Sequence, residues 1–90
     1  MSTHSADLES AIRKLRSKYA NASRGDQAYM RKFGVSADLT PAEAVALVDA
    51  GWRVQPWCEE MARAKLSVGE SRPFGVWIEP RDSRRIAGAR

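Results

Sequence analysis

The chain has 90 residues, 43% of them hydrophobic and 29% charged, and carries a net charge of +4. A chain this short buries only about 60–65% of the surface it exposes when unfolded, which limits it to one domain, and its balanced composition excludes a wholly disordered protein. No apolar run approaches the roughly 18 residues of a membrane-spanning helix, and the single cysteine, Cys58, excludes an internal disulfide.

The first helix is predicted from Ser5 or Asp7 to about Ala20, because Leu8, Ile12, Leu15 and Tyr19 recur at helical spacing. Asp7 and Glu9 open it and Arg13, Lys14, Arg16 and Lys18 load its later turns, the polarity that the helix dipole favours. Ser23-Arg24-Gly25-Asp26 reads as a turn whose Ser23 or Asp26 caps a second helix; Tyr29, Met30 and Phe33 form its apolar side, and Gly34 ends it. The third helix has the clearest start: Thr40 as N-cap, Pro41 at the first helical position and Glu43 completing a capping box, with Asp49-Ala50-Gly51 as the stop.

Trp52-Arg53-Val54-Gln55 alternates apolar with polar side chains and suits an extended connector. Pro56 then starts a fourth helix, to about Lys65, with Trp57, Met61 and Ala64 on one face. Gly69-Glu70-Ser71 is a turn, and Phe74 to Glu79 is aromatic and β-branched enough for a strand. Its partner is either Lys65 to Val68, in a small hairpin, or Trp52 to Val54. Residues 81–90 read as a basic, mobile tail attached to a compact domain of residues 1–80. The expected fold class is therefore α+β and helix-rich, with about four short helices plus a small β-hairpin or single added strand near the C-terminus.

Catalysis has little to build on. Cys58, Glu59 and Glu60 occupy adjacent helix positions and point apart; His4, the only histidine, is remote from them, and the six glycines form no phosphate-binding loop. One cysteine and one histidine do not make a zinc site. No enzyme activity, metal or cofactor is expected. The Arg24-Gly25-Asp26 triplet is a turn and not an adhesion signal, because Met1 to Asp7 has no secretory pattern. That pattern and the lone cysteine lead to the expectation of a cytoplasmic protein without membrane contact.

Charge is distributed unevenly. Residues 1–34 hold seven Lys/Arg against three Asp/Glu, residues 35–70 three against six, and residues 71–90 five against two. Basic ends around an acidic middle point to an anionic partner. The expected contact residues for nucleic acid or a nucleoprotein are Arg13, Lys14, Arg16 and Lys18 on the first helix, with Arg81, Arg84 and Arg85 in the tail. The alternative is a protein-binding inhibitor or adaptor that occludes a partner through the acidic middle, using Glu59, Glu60, Trp52 and Trp57. Either fits a homodimer.

Leu39-Thr40-Pro41-Ala42-Glu43-Ala44, Trp57 and Gly69 to Ile78 together outline a short capped helix, a second helix and a wing. Covering less than half of the chain, this outline resembles the winged helix-turn-helix of small excisionase and MerR-like DNA-binding modules. The resemblance implies a recognition helix at Pro56, yet that helix opens with Glu59 and Glu60, which phosphates would repel.

Overall fold

The computed structural model describes residues 3–87. Seven elements follow one another: α1 (Thr3–Ala20), α2 (Arg24–Phe33), β1 (Val35–Leu39), α3 (Pro41–Asp49), α4 (Pro56–Ser67), β2 (Phe74–Ile78) and α5 (Pro80–Ala87). The class is α+β, with β1 and β2 forming a two-stranded antiparallel sheet.

Helix α1 buries Ala11 and Leu15 and packs Leu8, Ile12 and Tyr19 against the same core, so the predicted stripe does face inward. Ser23 Oγ accepts from the Asp26 N–H to cap α2. Gly34 stops it with φ at +110°, where a side chain is strained. Space alone would demand glycine here: a Cβ on residue 34 would come within 2.3 Å of the Ile78 carbonyl oxygen.

The turn at Gly34 releases β1, an element absent from the sequence reading. Val35, Ala37 and Leu39 alternate inward while Ser36 and Asp38 face outward, and the register sets Val35 opposite Ile78 and Leu39 opposite Phe74. Lys65 to Ser67 belong to α4, so the hairpin between Lys65–Val68 and the strand does not form, and with it goes the wing of the helix-turn-helix outline. The other expected partner is partly right. On the opposite edge of β2, Val54 bridges Ile78, Gln55 N–H donates to the Trp77 carbonyl at 2.9 Å and Glu79 N–H to the Arg53 carbonyl at 2.8 Å.

Thr40 and Glu43 make both bonds of the capping box at the head of α3. This helix lies at the centre of the fold, buried from Glu43 to Leu47 and packed against α1 and α4. Residues 81–87, expected as tail, instead form most of α5; residues 88–90 lie outside the described residues. Ile86 enters the core, Ser83 Oγ donates to the Pro80 carbonyl at 2.7 Å, and the buried Asp82 carboxylate accepts the Arg53 N–H. An otherwise polar helix is held because its few inward groups are all satisfied.

Candidate nucleic-acid interface

Arg13, Lys14, Arg16 and Lys18 are all exposed on α1, but they are not equivalent. Lys14 Nζ donates to Glu43 Oε1 at 2.9 Å. Burial by itself would raise the Glu43 pKa; hydrogen bonds from Ser10 Oγ, the Thr40 N–H and Lys14 outweigh it and leave the carboxyl lowered from 4.5. Lys14 is therefore a strut between α1 and α3. Among the described residues no carboxylate lies in ion-pair range of Arg13, Arg16 or Lys18.

An open depression of about 710 Å³ runs between α1, α2 and β1, with Arg13, Lys14, Lys18 and Asn21 on one side and Asp26 and Asp38 on the other. Arg16 stands outside it, on the other flank of Arg13. The mixed lining makes this a weaker anion site than the cations alone suggest.

The C-terminal cations sit on α5, which packs on both α1 and α2. Arg81 and Arg84 are exposed and free of carboxylates among the described residues. Arg85 differs: its guanidinium lies 4.2 Å from the Trp52 ring centroid and 3.7 Å from Asp82 Oδ1. Three further cations escaped the sequence reading. Arg24, Arg31 and Lys32 are exposed on α2, Arg31 donating to the Tyr19 hydroxyl and Lys32 resting 5.5 Å over the Phe33 ring. Their signal was a second basic helix with no buried residue. Together α1, α2 and α5 carry ten Lys/Arg against four Asp/Glu, whereas α3 and α4 carry two against four.

The four residues expected to meet a protein partner are scattered by the fold. Trp52 is only 6% exposed and belongs to the core, so it cannot serve as a contact. Glu59 accepts from Arg63 at 3.1 Å on the same helix, leaving Glu60 and Trp57 open; Trp57 is 59% exposed. Buried Cys58 sits with its Sγ 3.9 Å from the Gly75 carbonyl, as a small core group. Among the described residues no helix is long and apolar enough to cross a membrane, and no three His, Cys, Asp or Glu side chains are placed to hold a metal.

No family model, curated protein or solved structure matches this chain.

Proposed function

We propose that this protein binds nucleic acid, or a nucleoprotein through its nucleic acid, with the surface formed by α1, α2 and α5. The observation that carries this reading is the packing of α5 on α1 and α2, which brings cations from both ends of the chain onto three touching helices. Arg13, Arg16, Lys18, Arg81 and Arg84 are the contact residues, since each is exposed and lacks a carboxylate partner among the described residues. Lysine and arginine contacts of this kind bind phosphates with little sequence preference.

Titrating labelled DNA and RNA at several salt concentrations tests it. Affinity is expected to fall steeply with salt, with a log–log slope of about −0.9 per phosphate contact for duplex DNA. The triple substitution Arg13→Ala, Arg16→Ala, Lys18→Ala should flatten that slope by about 2 to 3. Absence of binding at low salt, or a slope untouched by the substitutions, sinks the reading.

A second reading, a protein contact through α4, is favoured by one observation: Trp57 is exposed on the same helix face as Met61 and Val68. Tryptophan is enriched where interfaces concentrate their energy, and clustered exposed apolar groups mark interaction sites.

A further inference from the structure

Helix α4 has two apolar faces and only one of them is covered. Cys58 and Ala62 enter the core. Trp57, Met61, Ala64 and Val68 follow one another at spacings of four, three and four residues, and all four are open to solvent, Met61 by 42% and Val68, the C-cap, by 78%. Such spacing is that of an apolar seam between two helices.

Two properties of this seam select its partner. Its spacing reads the same from either end, so an antiparallel copy of α4, related by a two-fold axis midway between Met61 and Ala64, would set Trp57 against Val68 and Met61 against Ala64. Large side chains would meet smaller ones at every layer. The charges of α4 also run from acidic to basic, Glu59 and Glu60 first, Arg63 and Lys65 later. Reversal lays the acidic end of each copy along the basic end of the other, with the helix dipoles opposed, whereas a parallel copy would align like with like.

We infer that α4 is the interface of a two-fold homodimer of this chain. The inference rests on the α4 protein-contact reading and names its partner; it does not need the nucleic-acid reading. Because α4 packs on α3 and β2 while α5 packs on α1 and α2, self-pairing through α4 leaves the basic helices of both copies open. A dimer would then offer both sets to one polyanion, and the second contact would form at the high effective concentration set by the first.

Sedimentation equilibrium of the full chain from micromolar to millimolar concentration should show a monomer–dimer equilibrium. Trp57→Ala and Met61→Glu should each weaken it roughly tenfold or more, with unchanged circular dichroism because both side chains are exposed. In an equimolar mixture of Met61→Cys and Ala64→Cys proteins, exposed to oxidised glutathione, the mixed disulfide should form ahead of either like-with-like disulfide. A monomer at every concentration overturns the inference, as does a dimer indifferent to both substitutions, or one in which Met61→Cys links chiefly to itself. A monomer whose α4 is instead covered by a different protein also overturns self-pairing, while leaving the protein-contact reading intact.

Discussion

Lys14 reaches across from α1 to Glu43 at the head of α3, at 2.9 Å, so one member of the basic run holds two helices together. Lys14→Ala should therefore lower stability by about 1 kcal/mol and change nucleic-acid affinity less than Arg13→Ala does. Urea unfolding and a salt titration on the same two variants check this. The reverse ranking would mean that Lys14 works mainly as a surface cation.

Glu43 links this contact to pH. Its carboxyl titrates below the ordinary 4.5 in the folded protein, so protonation favours the unfolded chain. The contribution is complete at neutral pH and is lost as the pH falls below about 4.5 and through the lowered folded value. Glu43→Gln should flatten the acid limb of a stability–pH curve, and Glu43→Ala should remove roughly 2 kcal/mol at pH 7 by ending the capping box and leaving half-buried donors without their acceptor.

Gly34→Ala is expected to be among the most damaging single changes. It combines a φ of +110° with an approach of 2.3 Å to the Ile78 carbonyl and 2.6 Å to Trp77 Nε1. Backbone strain alone is worth about 1–3 kcal/mol, and the clash falls on main chain that cannot move without opening the sheet. A denaturation midpoint equal to that of the parent would contradict this account of the β1 entry.

Helix α5 offers a graded series. Ile86→Ala should cost roughly 2–4 kcal/mol as a buried truncation, Arg85→Ala about 1 kcal/mol through lost stacking on Trp52, and Arg84→Ala less than about 0.5 kcal/mol. In nucleic-acid titrations Arg84→Ala should be the more harmful of the two arginine changes. Thermal unfolding and salt-dependent binding of the three variants separate structural from contact roles.

The sequence was most legible where local chemistry is strong. The Ser23 cap and the Thr40–Glu43 capping box use contacts within a few residues, and the Leu8–Tyr19 stripe, though it packs on distant segments, repeats at helical spacing along one helix. Strand β1 was missed although Val35, Ala37 and Leu39 alternate, because five residues between a helix stop and a capping box resemble a linker until their partner is known. Helix α5 was missed for a different reason. Its place depends on one large apolar side chain, Ile86, and on the Asp82 bond to the Arg53 N–H, a contact between segments far apart in sequence. The apolar stripe of α4 was visible, but periodicity does not say which of two faces goes inward; the small Cys58 and Ala62 fill the core and the larger Trp57 and Met61 do not. The basic residues were legible as charges, and only the fold divides Lys14 and Arg85, which brace the structure, from Arg13, Arg16, Lys18, Arg81 and Arg84.

The pairing of Leu39 with Phe74 also bears on synthesis. Leu39 and Phe74 are separated in the chain by the whole of α3 and α4, so β1 is made long before it has a strand to join. The sheet closes only once β2 is present, so a chain truncated before Phe74 keeps β1 without its β2 partner, an unmatched strand edge of the kind that pairs with other chains.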